Sequence, residues 1–151
     1  MAFLAQYSRY RQHTLFDRSW YGRVLVERVE KFCSEQEWQR AYGEINDFEQ
    51  QLAESRIIMV KFWLATSKDE PLERFRKREI TGYKRYKITS DGWRNRDKWD
   101  EYENAVDDMV SHASSEATLW EFIEANDKKF ARIKVLKILC KRIEAALKNQ
   151  K

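Results

Sequence analysis

The 151-residue sequence predicts an α/β fold, a parallel sheet flanked by helices. Three observations predict it. Residues 57–64 form a nearly continuous apolar run (Ile57, Ile58, Met59, Val60, Lys61, Phe62, Trp63, Leu64), the pattern of a strand buried on both faces. Leu119 to Ile123 is a second buried-strand candidate, with Glu121 inside it. Segments with apolar residues every three or four positions alternate with these runs. With one proline and four glycines in the chain, long linkers are not expected.

In chain order, residues 1–12 mix apolar and basic side chains and are expected to be helical. His13 to Phe16 is a short strand-like run that ends at Asp17. Ser34 followed by Glu37 is a capping box, opening a helix with Trp38, Tyr42, Ile45, Phe48 and Leu52 on one face. Ser67 and Glu70 predict a second capping box and a helix to about residue 80. Trp99, Tyr102, Val106 and Met109 mark a further helix. Ile133, Leu136, Cys140, Ile143 and Leu147 predict the packing stripe of a final helix.

Ligands of parallel sheets sit at the carboxyl ends of the strands. That rule selects the neighbourhoods of 17–23, 66–69 and 125–128. An aspartate ending an apolar strand, as Asp17 does, has the Walker B form, and its carboxylate suits Mg²⁺ beside transferring phosphates. Arg18, Arg23 and Arg28 follow, and guanidinium groups bind phosphate oxygens bidentately. The plainer reading of Asp17 is a cap for the next helix. Asn126 and Asp127 are candidate caps of the final helix and, with Lys128, weaker candidates for nucleotide contact.

Charge is unevenly spread, although the net value is only +4. From Arg74 to Lys87 seven basic residues meet one acid, Glu79, whereas from Asp97 to Asp127 ten acids meet one base, Lys98. Segregation of this kind suits a region facing a polyanion, or simply a solvated helix face. Basic residues interleaved with Tyr83 and Tyr86 raise nucleic-acid binding, which the acidic half opposes. Two cysteines, Cys33 and Cys140, and two histidines, His13 and His112, make no zinc pattern. Free thiols, no secretory signal and no apolar run near the ~20 residues of a membrane helix lead to a cytoplasmic expectation.

The stretch DRSWYGRVLVERVE (17–30) closely resembles the Walker B segment of the polyphosphate kinase 2 family. The resemblance continues through CSEQEWQRAYGEINDFEQQL (33–52), KFWLATSKDEPLERFRKRE (61–79), YKRYKIT (83–89), WRNRDKWDEYENAVDDMV (93–110) and EANDKKFARIKVL (124–136). Within the family it is most similar to the C-terminal domain of tandem-domain polyphosphate:AMP phosphotransferases. It implies a kinase that moves phosphoryl groups between polyphosphate and AMP or ADP with Mg²⁺, on a P-loop kinase-like sheet of the nucleoside and thymidylate kinase type. It assigns catalysis to Asp17, Arg18 and Arg23, the metal to Asp17, and phosphate contact to Arg28, Arg74, Arg78 and Lys84. Residues 70–90 fall where the family has a helical lid. Arg94 and Arg96 are placed to face it, although packing and surface ion pairs are the plainer reading of their segment.

The resemblance weakens before residue 15, and no GxxxxGK or GxDxxGK occurs in the chain. The backbone cradle and lysine of a phosphate loop are therefore absent from these residues. The corresponding strand would lie between the strand ending at Asp17 and the 57–64 strand. Each buried unpaired backbone group costs about 1–3 kcal/mol, a serious drain on a domain stability of about 5–15 kcal/mol. Direct pairing of the flanking strands, a second chain or upstream domain in the gap, or poor folding are the expected outcomes. The sequence thus points to a single truncated domain over residues 1–151, a phosphotransferase with little activity by itself, or a non-catalytic polyphosphate-binding or oligomerisation remnant.

Overall fold

A computed structural model describes residues 2–6, 12–17, 19–82, 96–115 and 118–148. Its elements are β1 (Ala2–Gln6), β2 (Gln12–Phe16), a 3-10 turn (Trp20–Gly22) running into a π-helical stretch (Arg23–Glu27), α1 (Glu35–Glu54), β3 (Ile58–Ala65), α2 (Glu70–Ile80), α3 (Trp99–His112), β4 (Trp120–Glu124) and α4 (Lys128–Lys148). No helix among the described residues is long and apolar enough to cross a membrane.

The sheet order is β2-β1-β3-β4. β3 and β4 are parallel, whereas β1 is antiparallel to both β2 and β3. Two expectations are corrected here. Residues 2–6 are a strand, not part of a helix, and the sheet is mixed. The physical reason is the gap foreseen between β2 and β3. β1 fills it, with Leu4 opposite Thr14 on one side and Met59 on the other. A helix at this place would leave both neighbouring ladders unpaired. Because β1 runs against its two neighbours, β2, β3 and β4 all point the same way. Their carboxyl ends share one edge.

Alternate residues of β3 face opposite layers. Val60 and Phe62, with Ile123 of β4, pack under α4 through Ala131, Val135, Ile138 and Leu139. On the other face Trp63 and Trp120 meet Tyr21, Val24, Ala41, Tyr42, Ile45, Val106 and Met109. The sheet is therefore sandwiched between α4 and a layer made of α1, α3 and the π-helical stretch. Within this second core lies a charge. Lys61 is 0% exposed, and its Nζ donates to Glu49 Oε2 (2.9 Å), Tyr21 Oη (3.0 Å) and the Ala113 carbonyl (2.7 Å). Glu49, 2% exposed, also accepts from Tyr21 Oη (2.5 Å), Thr118 Oγ1 (3.1 Å) and Trp20 Nε1 (3.2 Å). Burial pulls the Lys61 pKa down, against the opposing pull of Glu49. Burial, reinforced by the Glu49 charge, pushes the Tyr21 pKa up.

The Ser34–Glu37 capping box forms, with the Ser34 N–H and hydroxyl both donating to Glu37 Oε2 at 2.7 and 2.8 Å. The Ser67–Glu70 box does not. Asp69 precedes the first turn of α2, Pro71 occupies it, and Glu70 turns to Arg74. Asn126 claims Ser67 instead, donating to its hydroxyl (3.2 Å) and accepting its N–H (3.0 Å). β4 is an edge strand, so Leu119 and Phe122 are exposed rather than buried. The expected packing stripe of α4 also faces the wrong way. Ile133, Leu136, Cys140 and Leu147 are exposed, because Ala131, Val135, Ile138 and Leu139 reach the sheet instead.

Two measurements check this account. Lys61→Met strands a buried carboxylate and is expected to cost about 3–5 kcal/mol in urea unfolding. Adding Glu49→Leu recovers part of that loss. Contacts from the Ser34 N–H, then its hydroxyl, hold the Glu37 pKa below its ordinary 4.5. A depressed carboxylate contributes stability above the unfolded-state value and loses it as pH falls through the folded one. The stability difference between wild type and Glu37→Ala should therefore be constant near neutral pH and close below 4.5.

Candidate phosphate and nucleotide site

At the shared carboxyl edge, β2 delivers Asp17, β3 delivers Ala65 and Thr66, and β4 delivers Ala125, whose N–H bonds the Ala65 carbonyl at 2.7 Å. A cleft of about 590 Å³ opens here. Asp17, Ser19, Tyr21 and Gly22 form one side, and Trp99, Tyr102, Glu103 and Asp107 of α3 contribute another. Trp63, Trp120 and Phe122 line it from the sheet. Asp17 is exposed. Among the described lining residues none is basic, and Asp17, Glu103 and Asp107 are acids. Aromatic faces and carboxylates of this kind suit a planar, partly cationic or amino-bearing group, or phosphates that arrive with a divalent ion.

The cations lie elsewhere on the same edge. Arg74 donates to the Ala125 carbonyl (2.7 Å) and to Glu70 Oε1 (2.7 Å), tying α2 to the end of β4. Arg74 contributes most to holding the Lys128 ammonium below the usual lysine range, followed by burial, Arg78 and Arg132. Four cations thus share one neighbourhood, a property that favours an anion between them. Arg78 also lies over the Phe75 ring, 5.8 Å from its centroid. Phe75 is the inward residue of α2, whereas Ile80 is exposed.

Arg23 and Arg28 do not line the cleft and are engaged elsewhere. Arg23 pairs with Glu27 at 3.1 Å and Glu37 at 3.9 Å. Arg28 pairs with Asp108 at 2.7 Å and lies over Trp38 at 4.1 Å from the ring centroid, bridging α1 and α3. Asp127 accepts the N–H groups of Lys129 (2.7 Å) and Phe130 (3.3 Å), so it caps α4. Asn126 joins the loops after β3 and β4 through Ser67. Arg18, Lys84 and Arg94 fall outside the described residues, as does the lid segment beyond Gly82.

Sequence reasoning missed the aromatic wall and the acids Glu103 and Asp107. Their signal was present: Trp99, Tyr102, Glu103 and Val106 share one helical face. That face was assigned to packing alone.

The matching family is polyphosphate kinase 2, over residues 2–151. The chain belongs to the polyphosphate kinase 2 family. This polyphosphate kinase 2 chain is 63% identical, over 93% of its length, to a polyphosphate:AMP phosphotransferase of Pseudomonas aeruginosa. It is 55% identical, over 87% of its length, to one of Acinetobacter johnsonii. It spans 28% of the length of each. A crystal structure described as a polyphosphate kinase 2 from Pseudomonas aeruginosa superposes with a TM-score of 0.89, at 63% identity over 93% of this chain and 30% of that one. A polyphosphate kinase 2 from Arthrobacter aurescens gives 0.79, at 34% identity over 83% of this chain and 44% of its own.

Mg²⁺ can be tested against the side chains present. No group of three His, Cys, Asp or Glu residues able to hold a metal occurs among the described residues. Asp17 offers one exposed carboxylate at the cleft. That fits Mg²⁺, which usually binds through one or two carboxylates plus substrate phosphates and water. It does not fit an ion held by protein alone.

For Asp127, Asp127→Ala should cost about 1 kcal/mol of stability by chemical denaturation, and Asp127→Ser should recover most of it. Polyphosphate affinity should be unchanged in both.

Proposed function

We propose that this chain carries the Asp17 side and the lid side of a polyphosphate:nucleotide phosphotransferase that converts AMP to ADP. The observation that carries the proposal is the shared edge. β2, β3 and β4 end together, with Asp17 at the cleft and the Arg74, Arg78 and Lys128 cations beyond it. Phosphoryl transfer is catalysed mostly by positioning and by neutralising phosphate charge, so these residue types suffice for much of the work. The aromatic wall offers a face for the nucleoside, and the cations offer counter-charge to a chain of phosphates. Asp17 would be the protein carboxylate that holds Mg²⁺, and the ion would supply positive charge to offset that of the phosphates. Arg18, Arg23, Arg28 and Lys84 complete the proposed phosphate contacts, and residues 70–90 the proposed lid. For Arg23 and Arg28 this requires exchange of the ion pairs they now make.

The 151 residues contain no phosphate-loop motif, and β1 stands between β2 and β3. We therefore assign the isolated chain weak or no turnover. Salt-sensitive binding of polyphosphate without turnover, a binding-module reading, rests on the cluster of cations that remains.

The test combines the purified chain with Mg²⁺, AMP and long-chain polyphosphate. Little ADP is expected. Robust ADP formation abolished by Asp17→Asn would show that these residues suffice without a phosphate loop. Polyphosphate binding should weaken with salt and fall in the Arg74→Ala/Arg76→Ala/Arg78→Ala variant. Binding unchanged in that variant would remove α2 from the site.

A further inference from the structure

The two carboxylate oxygens of Glu49 serve different parts of the chain. Oε2 accepts from Lys61 Nζ (2.9 Å) and Thr118 Oγ1 (3.1 Å), in β3 and just before β4. Oε1 accepts from Trp20 Nε1 (3.2 Å) and Tyr21 Oη (2.5 Å). Balancing the buried Lys61 ammonium needs one carboxylate oxygen at bonding distance. The other oxygen is given wholly to Trp20 and Tyr21, which follow closely after Asp17.

The aromatic rings on either side of Asp17 are held as well. Phe16, immediately before it, meets the Trp20 ring at 5.5 Å between centroids. Trp20 in turn meets Phe48 of α1 edge-on at 5.0 Å. Adjacent residues of α1, Phe48 and Glu49, therefore grip Trp20 by its ring and by its N–H. Asp17 stands between Phe16 on β2 and the Trp20–Tyr21 pair fastened to α1. Its carboxylate is exposed at the cleft that Tyr21 also lines.

An aspartate side chain is short, so its backbone decides where its oxygens can go. A carboxylate that meets a metal ion and phosphates works best when that backbone is fixed before the ligand arrives. Groups that orient a ligating residue from behind change metal affinity about 10–100-fold when removed. Glu49 has that place here, 2% exposed and bonded to the segment that carries the ligand.

We infer that Glu49 is a positioning residue for Asp17, holding its backbone at the sheet edge through Trp20 and Tyr21. This role presupposes that Asp17 is the carboxylate that meets Mg²⁺ and phosphates, as proposed above. Glu49 itself touches neither.

The test uses Mn²⁺ with tripolyphosphate as the probe, its binding to the full chain read by electron paramagnetic resonance and water proton relaxation. Asp17→Asn should raise Kd and remove the relaxation enhancement. Tyr21→Phe and Trp20→Phe each keep an aromatic ring and lose a donor to Oε1, and each should raise Kd about tenfold. Added to Asp17→Asn, Tyr21→Phe should cause little further loss, because both act on one contact. Thr118→Val removes a donor to Oε2 instead. It should lower the urea midpoint and leave Kd unchanged. Should Tyr21→Phe alter the circular dichroism spectrum, Trp20→Phe decides, since it leaves the bonds of Lys61 intact. Binding indifferent to Asp17→Asn, or absent from the wild type, overturns the reading of Asp17 and the role of Glu49 with it. Binding that needs Asp17 but ignores both donor variants overturns the role of Glu49 alone. An equal loss of affinity in Thr118→Val does the same, because the effect would then not run through Oε1.

Discussion

The Lys61–Glu49 pair sits where three separately formed parts of the chain must meet. β3 supplies the ammonium, α1 the carboxylate, and the turn after β2 the phenol of Tyr21 that bonds both. The segment joining α3 to β4 completes the shell with the Ala113 carbonyl and Thr118. An ammonium removed from water this thoroughly must have its hydrogen bonds supplied by protein, or it cannot stay charged. That requirement fixes the distance from β3 to α1, and it fixes Tyr21 only four residues beyond Asp17. The Tyr21 ring lines the cleft and packs edge-on against Trp120, 4.7 Å between centroids. Buried polar geometry therefore reaches from the core to the floor of the proposed site.

The sheet meets a second constraint, the pairing of its backbone. Strands β2 and β3 run in the same direction but do not touch. The chain's own first strand lies between them and pairs with both. The price of this solution is direction. Reversed relative to its neighbours, β1 brings its amino end to the edge where the other three strands finish. A parallel strand followed by a phosphate loop would have presented backbone N–H groups there. Among the described residues the cleft beside Asp17 is bordered by aromatics and acids, and Arg74, Arg78, Lys128 and Arg132 stand apart on α2 and α4.

That separation of charge frames the chemistry. In the proposed function the aromatic cleft receives the nucleoside and a metal that arrives with phosphates, while the cationic cluster around Lys128 receives the phosphates themselves. Arg74 is a structural residue as well as part of the proposed site. Its bonds to Glu70 and Ala125 anchor α2 to the sheet edge, and its charge also acts on Lys128. By contrast Arg28 is committed to Asp108 and Trp38, and its role in the folded chain is to join α1 to α3.

Local patterns in the sequence were sufficient for β2 ending at Asp17, for β3, for the presence of each helix from α1 to α4, for the Ser34–Glu37 cap and for the polyphosphate kinase 2 family. Each depends on residues close together in the chain, where propensity, spacing and hydrogen bonding act without distant partners. Tertiary structure alone decided the rest. Residues 2–6 became a strand because two other strands needed hydrogen bonds. Lys61, one charge in an apolar run, became buried because Glu49 arrived from α1. The Ser67 hydroxyl and N–H bonded Asn126 rather than the Glu70 side chain, since the two loops meet only when β3 and β4 pair. α4 carries two apolar faces of similar strength, and periodicity cannot rank them. The sheet chose one because Val60, Phe62 and Ile123 offered a surface that Ala131, Val135, Ile138 and Leu139 could fit.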